Sequence, residues 1–126
     1  CVNRSSATHA AIAGSGSFCV NVLRAEDADL ANAFSGRQPG EARFRLREWT
    51  QLASGAPALV GALASIDCRV AKRLEHGSHT VFLGEVQGLV LGRKGNSLLY
   101  AGGQYAKLAP LAHGEPLPQG LEYWGG

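Results

Sequence analysis

Leu63-Ala64-Ser65-Ile66-Asp67-Cys68-Arg69-Val70-Ala71-Lys72-Arg73-Leu74-Glu75, then His76-Gly77-Ser78, then His79-Thr80-Val81-Phe82-Leu83-Gly84-Glu85-Val86-Gln87-Gly88-Leu89-Val90-Leu91 is the longest patterned stretch of this chain. In its first half Ile66, Cys68, Val70 and Leu74 recur on one side and Asp67, Arg69 and Arg73 on the other, the period of a half-buried strand. In its second half Val81, Leu83, Val86, Leu89 and Val90 are apolar, and the tight glycine turn between the halves predicts a hairpin. Gly84 and Gly88 fall inside the second strand, where glycine marks a bend or the close approach of another group, or simply relieves crowding.

Working outward, Arg93-Lys94-Gly95-Asn96 turns into a short strand at Ser97–Tyr100, and Gln104–Leu108 reads as another. Upstream, Phe18–Leu23 alternates and is dense in β-formers. An Ala-rich helix over 7–14 ends at Gly14-Ser15-Gly16-Ser17, and a second helix over Ala25–Phe34 carries Glu26 and Asp27 in its first turn, where the dipole favours carboxylates. Ser35–Gly40 reads as loop, Ala42–Gln51 as an irregular connection burying Phe44 and Trp49, and Gly55-Ala56-Pro57 as a turn. Residues 109–126 read as a tail in which Leu121, Tyr123 and Trp124 have the chemistry to dock. The fold class is mainly β with short helices, arranged as a small antiparallel barrel with helices at its ends.

The 126 residues are read as a single domain of ordinary hydrophobicity, 45% by composition, and a charged fraction of only 17%. A net charge of +2 with no block of like charges supports neither nucleic-acid nor polybasic membrane binding, so any anionic partner is small. No apolar run reaches the length of a membrane span or a signal peptide, which predicts a cytoplasmic protein. Cys1, Cys19 and Cys68 are odd in number and set among apolar residues, as reduced thiols are. The sequence contains no Met and opens within a strand, so an N-terminal strand region is expected to precede it.

Cys1-Val2-Asn3-Arg4-Ser5-Ser6-Ala7-Thr8-His9 empties a short strand into a hydroxyl-rich turn before a helix. Helix-terminal N–H groups, hydroxyls and one Arg make a cradle for phosphate, although the same residues also serve as an ordinary N-cap. Gly14-Ser15-Gly16-Ser17 follows a helix and precedes a strand, the reverse of a dinucleotide fingerprint. His76 and His79 lie three apart across a turn with no third ligand type beside them, so no metal is assigned. His79 opens a strand at a rim, where an imidazole can orient a redox cofactor, or stand as a plain turn histidine. Ser5, Ser6 and His9 lack the elbow of a hydrolytic triad.

Taken together, residues 1–9, Phe18–Leu23, Leu30-Ala31 with Phe34, Gly61-Ala62-Leu63-Ala64, Gly77–Val86, and Leu98-Leu99-Tyr100 with Gly103-Gln104-Tyr105 occur in an order that resembles the flavin reductase family over residues 1–108. The resemblance implies an FMN-binding split β-barrel, a homodimer, FMN or FAD as cofactor, and NADH or NADPH as hydride donor. It further implies a partner monooxygenase fed by diffusing reduced flavin. Asn3, Arg4, Ser5, Ser6 and Thr8 would hold the ribityl and phosphate end, Arg43 and Phe44 the phosphate or adenine side, and Tyr105 the rim. His79 would position the nicotinamide. The family has Asp before that histidine, whereas this chain has Ser78, so a hydroxyl replaces any carboxylate there. Family members also carry, ahead of the cysteine, a Ser/Thr-rich strand that contacts the isoalloxazine. Other acceptors, such as a corrinoid or iron centre, and a non-catalytic flavin-binding domain are the alternatives.

Overall fold

The computed structural model describes residues 1–37 and 40–112. Its elements run β1 (Val2–Asn3), α1 (Ala7–Ser15), β2 (Ser17–Val22), α2 (Ala28–Asn32), β3 (Trp49–Gln51), β4 (Pro57–Leu59), β5 (Ala64–His76), β6 (His79–Leu91), β7 (Leu99–Ala101) and β8 (Gln104–Ala106). β1, β6, β5 and β2 form one antiparallel sheet in that spatial order, while β3–β4 and β7–β8 are separate two-stranded pairs. The mainly β architecture with two short helices is therefore present, but among the described residues the sheet stays open and does not close into a barrel. The expected docking residues Leu121, Tyr123 and Trp124 lie outside the described residues. No described helix is long and apolar enough to cross a membrane.

β5 and β6 pair from Ala64↔Leu91 to His76↔His79, and Gly77 at φ 57° supplies the left-handed conformation that the turn needs. Two register shifts, at Asp67/Cys68 and Val70/Lys72, interrupt the ladder. Gly84 sits there for a steric reason: a Cβ on it would come within 2.5 Å of the Phe18 ring and 2.8 Å of the Cys68 Cβ. The close-approach reading of this glycine is the one the structure bears out.

The strand pattern predicted the shared face of Ile66, Cys68 and Val70, but the register shift between Val70 and Lys72 turns Leu74 to the opposite face and brings Arg73 to the Val70 side, and periodicity did not say which face is covered. Directly opposed residues form apolar rows, Phe18–Cys68–Val86, Val20–Ile66–Leu89 and Val22–Ala64–Leu91, on one side of the sheet. Polar rows such as Cys19–Asp67–Gly88 and Asn21–Ser65–Val90 lie on the other. The β3–β4 segment folds over the polar side and satisfies it. Asp67, expected to face solvent, is 0% exposed and accepts the Ser54 N–H at 2.8 Å as well as the Ser54 hydroxyl. Asn21 accepts from Leu59 N–H and the Ser65 hydroxyl, both at 2.9 Å, and donates to Pro57 O. Saturated with partners, these polar groups tolerate burial. The apolar rows are left open mainly along β6, with Val86 and Leu89 each 57% exposed, while Cys68 in the middle of the first row is buried.

The second helix is shorter than its pattern suggested. The chain first makes a tight turn at Ala25–Asp27, because the Asp27 carboxylate bends back to accept the Arg24 N–H, and it leaves the helix through a wide turn at Ala33–Arg37 with Gly36 at φ 102°. Leu30, Leu59 and Ala62 form the buried core, with Leu23, Phe34 and Trp49 packed on it. Periodicity missed two elements, β3 at the end of the irregular connection and β4 directly after the Gly55-Ala56-Pro57 turn, since strands of three residues are too short to show a period.

Candidate functional site

The first turn of α1 is built by Asn3 and Ser6. Asn3 Oδ1 accepts from both the N–H and the hydroxyl of Ser5, and its backbone oxygen accepts from the N–H and hydroxyl of Ser6. The Ser6 hydroxyl in turn accepts the His9 N–H at 3.1 Å, which makes it the N-cap. The N–H groups of Ala7 and Thr8 have no protein partner among the described residues. No carboxylate occupies this turn. Two unpaired amides on the positive end of a helix dipole fit a phosphate. Arg4 leans on the hairpin turn, donating to Gly77 O at 3.3 Å and pairing with Glu75 at 3.6 Å. Both partners are about half exposed, so the pair is worth little and the guanidinium is free to turn toward an anion.

From Ala7 and Thr8 a cavity of about 840 Å³ extends to an aromatic wall of Phe34, Phe44 and Trp49. Ser17, Cys19, Asn21 and Leu23, which alternate onto one face of the edge strand β2 and its continuation, line it together with Phe18. Phe44 stands edge-on to Phe34 at 5.1 Å and to Trp49 at 5.1 Å, and the Arg43 guanidinium lies 4.9 Å from the Phe34 ring centre. Trp49 Nε1 is buried without a hydrogen-bond partner among the described residues. Arg47 bonds Asp27 at 3.3 Å and Asp29 at 2.7 Å, tying the chain after Phe44 to the start of α2. The hydrogen bond from Arg47 holds the Asp29 carboxyl below the usual range. Burial, followed by the neighbouring Asp67 carboxylate, pushes the Cys19 and Cys68 thiols up, so neither is a ready nucleophile.

Of the residues singled out in the sequence, Thr8, Arg43 and Phe44 share this cavity. Asn3, Arg4, Ser5 and Ser6 do not line it; β1 pairs Asn3 with His79 across the sheet, and Arg4 donates its N–H to Ser78 O at 2.8 Å. His79 Nδ1 lies 2.8 Å from the Ser78 hydroxyl, which stands where the family's carboxylate was expected. Tyr105 is set apart: it packs against Tyr100 at 5.3 Å on the β7–β8 hairpin and lines neither this cavity nor the smaller one beside Arg24. His9 bonds Thr80 rather than a serine hydroxyl. Phe34 and Trp49 were read as packing residues, and only the folded arrangement turns them toward the cavity.

Residues 1–109 match the family model described as flavin reductase like domain. The chain belongs to this family. Among curated relatives, FMN reductase (NADH) RutF of Ancylobacter novellus is 41% identical over 114 residues, covering 90% of this chain and 63% of that protein. The chain thus spans a little under two thirds of that relative's length. Among solved structures, the NADH:FAD oxidoreductase SgcE6 of Streptomyces globisporus C-1027 superposes with a TM-score of 0.79 at 32% identity, covering 86% of this chain and 66% of that one. BorF, the flavin reductase component of a bacterial two-component tryptophan halogenase, gives 0.77 at 30% identity, covering 85% and 69%.

Proposed function

We propose that this chain is the flavin- and nicotinamide-binding part of an NAD(P)H-dependent flavin reductase. The observation that carries the reading is the α1 turn, with the free N–H groups of Ala7 and Thr8 and no carboxylate, opening onto a cavity of about 840 Å³ walled by aromatic rings, in a member of the flavin reductase family. Bound flavin would supply the hydride-accepting ring, and the nicotinamide the hydride. The protein's task is then binding and orientation. Ala7 and Thr8 hold the phosphate through backbone N–H, with Arg4 and the Thr8 hydroxyl around it, while the Ser5 hydroxyl donates to Asn3 Oδ1. The Ser6 proton is committed to Asn3 O, so Ser6 acts by setting the helix start. Arg43 and Phe44 take the far end of the flavin, and Tyr105, apart on the β7–β8 hairpin, is given no contact with it. His79 positions the nicotinamide, its ring oriented by Ser78.

We take the open sheet as part of a split β-barrel and its uncovered apolar rows as the face of a homodimer. A partner monooxygenase would receive the reduced flavin, in line with BorF being the reductase component of a two-component system. The test is anaerobic titration of the flavin-loaded protein with NADH or NADPH. Bleaching of the flavin absorbance is expected. Flavin that binds but does not bleach would overturn the reductase reading in favour of a non-catalytic flavin-binding domain. His79→Ala is expected to slow flavin reduction more than it weakens flavin binding, and equal losses in both would remove the role given to His79.

A further inference from the structure

Thr80 is 0% exposed, and its hydroxyl has one side-chain partner among the described residues, the His9 ring, at 2.8 Å from Nε2. His9 sits in the first turn of α1, its N–H bound by the Ser6 cap, and its ring packs on Phe82 with centroids 5.3 Å apart. Thr80 follows His79 in β6, and the two pair with Val2 and Asn3 in turn. One ring therefore connects the helix end whose amides are free to the strand that carries His79. The connection passes through the sheet, because adjacent strand residues point to opposite faces.

We infer that the His9–Thr80 contact is a positioning device: it sets the distance between the anion-holding end of α1 and the imidazole of His79. The inference rests on the flavin reductase reading. A ring wedged between Thr80 and Phe82 fixes both the height of the helix over the sheet and its rotation. Without the hydrogen bond the buried Thr80 hydroxyl is left unpaired, and α1 resettles on Phe82 with its free amides displaced from His79. A displacement of that kind misaligns two bound rings even where each still binds.

The experiment compares wild type, His9→Ala, Thr80→Val and the double variant, with Thr80→Ser and His9→Gln as variants that keep a hydrogen-bonding group. Flavin affinity is read by fluorescence titration with FMN and FAD, and turnover with NADH is expressed per bound flavin. Each disruptive single variant should lower kcat per bound flavin about tenfold, and the double variant should lose no more than the worse single, as expected for one shared contact. Thr80→Ser should restore kcat to within about twofold of wild type, since it keeps the hydroxyl. A purely structural role would lower the melting temperature and the flavin-bound fraction while leaving kcat per bound flavin unchanged, and that result overturns the inference. So would losses that multiply in the double variant. Wild type that binds flavin but is not reduced by NADH would instead refute the reductase reading itself.

Discussion

At the residue scale, Asp67 decides more of the structure than its place in an alternating pattern suggests. Its carboxylate accepts two hydrogen bonds from Ser54 and holds the connection between β3 and β4 against the sheet. Asp67→Ala leaves the half-buried Ser54 N–H and hydroxyl without their acceptor and is expected to cost about 1–3 kcal/mol, read as a lower urea midpoint. Nothing in the periodicity of Leu63–Glu75 pointed to this, because period two separates two faces without saying which one a later loop will cover. Gly84 was legible as special, but the cause, contact with Phe18 and Cys68, needed the paired strand. The thiols give a pH prediction. Their ordinary value is 9.0 and the fold raises it, so below that value they contribute no pH dependence, while above it the unfolded chain deprotonates first. Stability should therefore fall as pH rises from about 9 through the higher folded value, and Cys19→Ser with Cys68→Ala should flatten that fall in thermal melts at graded pH.

At the scale of elements, α1 starts where its sequence said it would, because capping chemistry is local. Asn3, Ser6 and His9 lie within two turns of one another and make their bonds without help from the rest of the chain. Ser6→Ala should destabilise the protein by about 1 kcal/mol in chemical denaturation and weaken flavin binding together with it, since the free amides of Ala7 and Thr8 depend on the same cap. Substituting Thr8 by Val keeps the cap and should affect flavin affinity alone, measured by fluorescence titration. The second helix was less legible. Its apolar spacing over Leu30, Ala31 and Phe34 is genuine, yet Asp27 turns back to Arg24 and Arg47 and shortens it, and Arg47 stands twenty residues further along the chain. That ion pair also ties the chain beyond Phe44 to the start of α2, which places the aromatic wall of the cavity.

For the whole molecule, the telling feature is a sheet with its polar side covered by the β3–β4 segment and its apolar side open at one end, although Cys68 and Thr80 on that side are buried. Val20, Leu89 and Leu91 are between 45% and 73% exposed and lie on cross-strand rows with Ile66 and Ala64, and Val86, 57% exposed, lies opposite Cys68. A contiguous apolar face of this kind marks an interface. Leu89→Arg should shift the protein to a smaller species in sedimentation or light scattering without altering its circular dichroism, and an unchanged mass would remove the homodimer from the proposal. The sequence by itself determined the hairpin, the glycine turn, the capped helix start and the family, all of which depend on neighbours in the chain or on the order of motifs along it. Tertiary structure alone decided which sheet face is covered, how Thr8, Arg43 and Phe44 meet in one cavity while Tyr105 stands apart, and how His9 reaches Thr80. Those outcomes depend on contacts between residues up to 71 positions apart, and local propensity carries no information about which distant segment supplies the partner.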